Sequence, residues 1–374
     1  MILHLLTDEK FTDYAIAQFS ASEMQSEFVL VPSNNIMEHV KLIDKCTIVR
    51  QNSPEYKELL NRLGEYTGII FHGMFWGRWQ TPILQKVPKN VKVAWYFWGG
   101  DIYSRCGFEN QFLAPITGFF NRLHNRKKKI EIDTSWEIPI ELFKHIDYCL
   151  TSEQEEYEFA KQYTGSKFEF IWYTCYSLEE TVGSLMNSRC FGSNIWLGNS
   201  AAVKNNHFDI MWTLRKSGLL RSLDSGKVII PLSYGSPWVR NLVLRYGRLL
   251  LRKRMQPLTE FMPRNEYNAL MLSCSTMIIG YWEPAGQGNI ITALWLGMRV
   301  YLSEKSMAYN FFKRIGAQIY SIESDLKRYQ FTPLSEDVRD KNRRVLTKWF
   351  SRQHVMEAVQ NVVKELSESK KIND

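Results

Sequence analysis

The chain has 374 residues, 45% of them hydrophobic and 14% aromatic, with 12 tryptophans, which is enough for two ordinary domains with well-filled cores. Its formal charge of +8 points to an anionic partner: nucleic acid, an anionic membrane surface or a phosphorylated substrate. The composition excludes a largely disordered chain, leaving only Ser367–Asp374 to read that way, and no run approaches the roughly 20 apolar residues of a spanning helix. Six scattered cysteines (Cys46, Cys106, Cys149, Cys175, Cys190, Cys274), without CxxC or metal-ligand spacing, read as the reduced thiols of a cytosolic chain. The opening MILHLLTDEKF has neither the basic stretch nor the small-residue site of a signal peptide.

Met1–Leu6 is a short apolar strand ending at Thr7-Asp8, and Phe11–Phe19 follows as a helix. Glu27–Val31 and Cys46–Val49 are the next strands, Pro54–Leu63 is an amphipathic helix, and Gly68–Gly73 (GIIFHG) is another buried strand. Val91–Trp98 is a strong central strand that stops at Gly99-Gly100-Asp101. Asp147–Leu150, a helix over Ser152–Gln162 and a strand over Glu169–Trp172 complete a first series. Strands alternating with helices at this spacing predict a doubly wound α/β unit with a parallel sheet.

Ser177–Ser193 is polar and lacks a period, and reads as a linker. A second series starts with the strand Asn194–Leu197 and the turn Gly198-Asn199-Ser200, then a helix over His207–Ser217 and a strand over Lys227–Leu232. Val239–Arg254 reads as one long basic helix and Tyr267–Ser273 as a short one. Thr276–Tyr281 is a strand, and the loop Glu283 to Gly288 opens into an apolar helix from Asn289. Arg299–Leu302 is a strand and Val345–Leu366 a closing helix. The expected domains are 1–180, rejoined by the closing segment 340–374, and 190–335.

In the second series three loops follow successive strands: Gly198-Asn199-Ser200 with Asn206 and His207 nearby, Ser233-Tyr234-Gly235, and Glu283 through Asn289. All three lie at carboxyl ends of parallel strands, so they are expected to meet at one crevice. That crevice is rich in glycines and hydrogen-bond donors. At the last loop, Gly286, Gln287 and Gly288 open a helix whose first N–H groups lack partners, which suits the phosphates of a nucleotide diphosphate. Glu283 is placed to accept hydrogen bonds from sugar hydroxyls. Plain turn-forming is the alternative for these residues.

In the first series Asp8, His72 and Asp101 each end a hydrophobic strand. Asp101, or failing it His72, is the candidate to take a proton from an attacking hydroxyl; a helix cap and a core histidine are the alternatives. Phe119-Phe120-Asn121-Arg122 through Arg126, Lys127, Lys128 and Lys129 mixes aromatics with cations in the manner of a segment resting on anionic lipid. Arg240, Arg245, Arg248, Arg252, Lys253 and Arg254 form a second basic cluster. Asp8, Arg105, Arg126, Lys127 and Lys128 are the candidates for acceptor or membrane contact. There is no GxGxxG after the first strand, which argues against a dehydrogenase, and no DxD tripeptide to hold a metal on a diphosphate, so no metal or cofactor is expected.

Seven short stretches, in order along most of the chain, carry a resemblance: LHLLTD near the start, FHG at Phe71–Gly73, WGGDIY at Trp98–Tyr103, LGNS with the following Asn206-His207, PLSYG, EYNALMLSCS at Glu266–Ser275, and GYWEPAGQG. On these the chain resembles the TDP-N-acetylfucosamine:lipid II N-acetylfucosaminyltransferase family (glycosyltransferase family 56) of bacterial surface polysaccharide assembly. The resemblance implies a GT-B architecture of two Rossmann-like domains facing a cleft, with the closing helix packed back on the first. It implies a dTDP- or UDP-sugar bound in the C-terminal domain and a polyprenyl-diphosphate-linked saccharide at the N-terminal one, on the cytoplasmic face of the inner membrane. It marks Gly198, Asn199, Ser200, Asn206, Tyr234, Gln287 and Gly288 as donor-site positions and Asp101 as a cleft residue, and the chain departs from the family at Glu283. The rival readings are a transferase acting on a protein or soluble glycan, and a non-catalytic nucleotide- or nucleic-acid-binding module. The chain carries no nucleic-acid-binding motif.

Overall fold

The computed structural model describes all residues except 33–36, 109, 127–133, 135, 224 and 369–374. The chain divides into two compact units. The first comprises Met1–Cys106, Ile132–Ser177 and Phe350–Asp374, and the second Gly107–Glu131 and Leu178–Trp349.

The first unit is built on seven strands: β1 (Ile2–Leu6), β2 (Ser26–Leu30), β3 (Cys46–Ile48), β4 (Gly68–His72), β5 (Lys92–Tyr96), β6 (Tyr148–Thr151) and β7 (Glu169–Trp172). They pair in parallel in the order β3-β2-β1-β4-β5-β6-β7. Every residue of β1 and of β4 is buried, as a parallel sheet covered on both faces requires. Local chemistry sets the helices. Ser53 caps the helix Pro54–Arg62 by accepting from the Tyr56 N–H, with proline at the first helical position, and Gly165 ends the helix Gln154–Thr164 in the left-handed conformation. The C-terminal helix Arg352–Ser367 returns to this sheet, burying Val359, Val362 and Leu366 in its core. It comes so close that a Cβ on Gly68 would lie 2.7 Å from the Leu366 Cβ.

The second unit has six strands: β8 (Asn194–Leu197), β9 (Val228–Pro231), β10 (Met255–Leu258), β11 (Cys274–Ile279), β12 (Arg299–Leu302) and β13 (Tyr320–Ser321). They too are parallel, in the order β10-β9-β8-β11-β12-β13. In both sheets the order reverses beside the first strand, between β1 and β4 and between β8 and β11. The crevice outside the carboxyl ends at such a switch point is where doubly wound sheets hold ligands.

Several boundaries depart from the sequence reading. The long basic helix ends at Leu251, and the chain turns through Arg252, in a left-handed conformation, into edge strand β10, which its weak pattern (MQPL) had hidden. The expected linker contains a helical turn, Leu178–Val182, that buries Leu178 and Val182. The closing helix is two helices, Glu336–Phe350 and Arg352–Ser367, broken at an extended Ser351 whose hydroxyl accepts from the His354 N–H. Helices Gly77–Lys86 and Met307–Arg314 had no counterpart in the reading. The segment 107–131 sits with the second unit, because Asn206 and Asp209 bind its backbone: Asn206 Oδ1 accepts from Ala114 N at 2.8 Å. The Asp209 carboxylate accepts from Ile116 and Thr117 N, each at 2.8 Å, at the start of the helix Pro115–Asn125.

Candidate functional site

In the second unit the three loops past β8, β9 and β11 are tied together by named contacts. Ala201, past β8, bridges Gly235, past β9, with Ala201 N donating to Tyr234 O at 2.8 Å and Ser236 N to Ala201 O at 3.0 Å. A Cβ on Gly235, at φ +107°, would lie 2.6 Å from the Ala201 carbonyl carbon, so glycine is needed there for the approach. The loop past β8 reaches the one past β11 through Asn205, whose Nδ2 lies 2.8 Å from Ser200 O and 3.0 Å from the Tyr281 hydroxyl. Sequence reasoning missed Asn205 and Tyr281, although the run Lys204-Asn205-Asn206 was the signal available for the first.

The helix Gln287–Leu296 starts at this junction. Its N-cap is Gly286 at φ +71°, a residue with no side chain of its own to cap with, and no acid stands in its first turn; the first N–H groups of a helix point out of its start. From Ile290 to Leu296 the helix is buried, which fixes its axis, while Trp282 to Asn289 are half-buried. The Asn199 amide lies against Gly286, 2.9 Å from where a Cβ would stand. A fixed helix start lined by an amide and by glycine is an arrangement that can receive an anion.

Glu283 and Lys204 form a salt bridge at 2.6 Å with both side chains largely covered. Burial pushes the Glu283 carboxyl above the ordinary glutamate range, against the pull of the Lys204 ammonium. Lys204 was not singled out from the sequence. Tyr234 is 58% exposed beside these loops. Ser200 is buried, with its hydroxyl 3.4 Å from that of Tyr281.

Two expected donor contacts have other parts. Asn206, in a left-handed conformation, is buried, and its amide group is committed: Nδ2 donates to Gly280 O at 2.7 Å while Oδ1 holds Ala114 N. It positions backbone and has no group left for a ligand. His207 is sealed at 1% exposure with both ring nitrogens unpaired, and burial drops its pKa to about 3. It packs under Gly198, where a Cβ would lie 2.5 Å from its Nε2.

The candidates in the first unit are corrected more sharply. Asp101 is 0% exposed, and its carboxylate accepts from the Met74 N–H, from Trp95 Nε1 at 3.0 Å and from Trp98 N at 2.8 Å. Burial raises its pKa against those donors. It staples the turns after β4 and β5 and has no open face from which to take a proton. His72 is equally sealed: its Nε2 lies 3.1 Å from His4 Nδ1, and His4 Nε2 lies 3.1 Å from the Ser26 hydroxyl. Burial holds His4 well below the usual imidazole range and brings His72 to about 3, so both are neutral. Asp8 accepts from the N–H groups of Glu38, His39 and Val40 at 2.6–3.0 Å and anchors that loop. Arg105 is buried, paired with Glu137 at 3.2 Å and donating to Ile138 O at 2.8 Å, so neither an acceptor nor a membrane reaches it.

Of the basic residues, Lys127 and Lys128 lie outside the described residues, whereas Arg126 is exposed. The helix Pro115–Asn125 turns Phe119, Arg122 and Leu123 outward, the two apolar ones more than half exposed. Beside it, in contact through Phe120 on Tyr246 and His124 stacked on Trp238 at 4.2 Å, runs the helix Pro237–Leu251. That helix exposes Arg245, Arg248 and Leu249, with Arg252 and Lys253 exposed just past its end. Arg254, counted with this cluster in the sequence, is turned inward to donate to Leu223 and Gly226 carbonyls. Neither helix contains an Asp or Glu. Among the described residues no helix is long and apolar enough to cross a membrane.

Two Rossmann-type parallel sheets, each with its switch point beside the first strand, define the GT-B class of fold, and solved structures similar to this chain have that fold. They include a glycosyltransferase from Rickettsia africae ESF-5, at 12% identity over 98% of each chain with a TM-score of 0.64. Anabaena Alr3699/HepE in complex with UDP and glucose is similar at 10% identity over 98% of this chain and 99% of that one, TM-score 0.61. The lipopolysaccharide outer core galactosyltransferase WaaB is similar at 10% identity over 98% and 99%, TM-score 0.63. At these identities the likeness is one of fold. No family model and no curated protein sequence matches the chain.

Proposed function

We propose that the protein is a glycosyltransferase that moves a sugar from a dTDP- or UDP-linked donor to a polyprenyl-diphosphate-linked saccharide, working peripherally on the cytoplasmic face of the inner membrane in bacterial surface polysaccharide assembly. The observation that carries this reading is the start of the helix Gln287–Leu296 at the β8/β11 switch point, opened by Gly286 and flanked by Asn199. Support comes from the fold shared with glycosyltransferases, one of them bound to UDP and glucose.

In this reading the donor diphosphate rests on the N–H groups of Gln287, Gly288 and Asn289. The acceptor hydroxyl oxygen forms a bond to the sugar C1 as the bond from C1 to the phosphate oxygen breaks, and the nucleoside diphosphate leaves with that electron pair. The helix start meets the charge that grows on the leaving oxygen with preset dipoles, which is a metal-independent means of stabilising it. Glu283, held in place by Lys204, accepts hydrogen bonds from donor sugar hydroxyls, and Ser200 and Tyr234 border the same crevice. Because Asp101 and His72 are sealed, the hydroxyl proton passes to neither, and leaves to the departing diphosphate oxygen or to solvent.

The membrane half of the proposal rests on the adjoining faces of Pro115–Asn125 and Pro237–Leu251. Exposed Phe119, Leu123 and Leu249 supply apolar contact, and Arg122, Arg126, Arg245 and Arg248 supply attraction to anionic headgroups.

Thermal unfolding with dTDP, UDP, GDP and CMP, each with EDTA or magnesium, tests the donor site. A nucleotide at about a hundred times its Kd stabilises a fold by roughly 2.7 kcal/mol. Stabilisation by dTDP or UDP that is unchanged by EDTA supports the reading. No response to any of them removes it.

A further inference from the structure

We infer that a tryptophan-walled cavity in the first unit is a saccharide subsite that seats one pyranose ring of the acceptor. The inference rests on the proposed function, whose acceptor half it makes specific. The cavity measures about 320 Å³ and is lined by Val31, Pro32, Gln51, Arg78 and three indoles, Trp76, Trp79 and Trp136. It lies at the carboxyl side of the sheet, where β2 ends at Leu30, β3 at Ile48 and β4 at His72. That is the side on which α/β sheets take ligands.

The walls are built rather than incidental. Trp76 N donates to Gln80 Oε1 at 2.9 Å, and Gln80 Nε2 donates to Gly73 O at 2.7 Å, which pins the turn that carries Trp76. The Tyr56 hydroxyl donates to the Trp79 carbonyl. Gly77 N donates to Trp136 O at 2.7 Å, and a Cβ on Gly77 would stand 2.8 Å from that same oxygen. Only glycine lets the Trp136 segment approach so closely. The Trp76 Nε1–H is covered and lacks an acceptor among the described residues, so one wall of the cavity carries an unsatisfied donor.

Chemistry selects the ligand. An indole face is apolar and carries negative quadrupole charge, so it packs against the weakly positive C–H face of a pyranose while hydroxyls project to the rim. Gln51 and Arg78 stand at that rim, and the Gln51 amide donates to the Arg78 carbonyl at 3.3 Å. Aromatic walls also attract quaternary ammonium groups, but among the described residues the lining holds Arg78 and no Asp or Glu, which disfavours a cation. The volume is at the small end for ligand pockets, of about 300–1,000 Å³, and matches one sugar ring rather than a nucleotide.

Saturation-transfer NMR on the full chain, with methyl glucoside, N-acetylglucosamine, galactose and uridine as separate probes, with and without UDP, tests this. Transfer to pyranose C–H protons is expected for at least one sugar, about tenfold weaker in Trp136→Ala. Gln51→Trp changes an exposed rim residue and fills the cavity, so the same loss is expected there even if Trp136→Ala folds poorly. Absence of transfer to every sugar, transfer that both variants leave intact, or transfer to uridine alone overturns the subsite. UDP-induced stabilisation without sugar transfer would sink the subsite while leaving the donor reading in place, and sugar transfer without any nucleotide response would do the reverse.

Discussion

Gly198→Ala probes the contact that shapes the crevice. Gly198 follows β8 at φ +71°, a region in which an L side chain costs about 1–2 kcal/mol. Its new Cβ would stand 2.5 Å from His207 Nε2, about 1–1.5 Å inside a normal carbon contact of about 3.5–4.0 Å, and overpacking of this kind costs about 1–3 kcal/mol. The expected loss is therefore about 2–5 kcal/mol, together with weaker UDP or dTDP protection, because Asn199 is the next residue. His207→Ala alone removes a buried ring whose nitrogens make no hydrogen bonds, for about 1–3 kcal/mol. Combining the two removes the His207 clash and leaves the backbone strain and the tight approach of the new Cβ to Asn205 Oδ1 at 3.0 Å, so the double variant should be more stable than the sum of the singles by about 1–3 kcal/mol. Urea unfolding of the four proteins, compared at equal m-values, measures this. Additivity within about 0.5 kcal/mol would refute the argument, since Gly198 would then be required for its backbone angle alone.

Three further outcomes follow from the buried polar groups and the basic face. Burial holds His4, His72 and His207 below their unfolded value of about 6.5, so their neutral forms cost nothing above that pH and each opposes folding as pH falls below it. At pH 4.5 His72 and His207 each cost roughly 3 kcal/mol, and circular dichroism melts should be level above pH 7 and fall steeply below 6. A melting temperature unchanged down to pH 4.5 would count against neutral burial. Asp101→Asn turns an acceptor of three donors into a group that faces them with its own N–H, and should cost about 1–3 kcal/mol in unfolding free energy. Lost turnover with an unchanged melt would return Asp101 to the chemistry. Reversing Arg122 and Arg126 to Glu should weaken sedimentation with phosphatidylglycerol vesicles by roughly 30-fold or more, at about 1 kcal/mol per lost cation. Equal sedimentation of variant and native protein would exclude that face as the contact.

Much of the fold was legible because parallel strands buried on both faces are written as unbroken apolar runs, and ILHLL, GIIFH and NIWL carry that mark. Edge strand β10, with its proline and glutamine, does not. The donor-side loops were legible for a related reason. Glycine and small polar residues gather where chain must turn tightly at the end of a strand, and the hydrogen bonds joining Ala201 to Tyr234 and Asn205 to Tyr281 bring those loops together. The tryptophan cavity left no such trace, since its walls come from residues 31–32, 51, 76, 78–79 and 136. The allegiance of 107–131 was equally hidden, because the groups that fix it, Asn206 and Asp209, lie about ninety residues away.

The two acids misread in the first unit, Asp8 and Asp101, share one cause. A loop that leaves a buried strand carries N–H groups that need acceptors, and a short carboxylate beside the strand end is the economical one. Asp8 serves N–H groups 30 to 32 residues along the chain, and Asp101 serves one 27 residues back. In sequence such an acid is indistinguishable from one presented to a substrate, since both stand after a hydrophobic run and next to small residues. What separates them is whether the carboxylate has an open side, and that depends on chain that folds over it from elsewhere. On the donor side the functional group is the backbone itself, and there the glycines that local sequence does record are the informative residues.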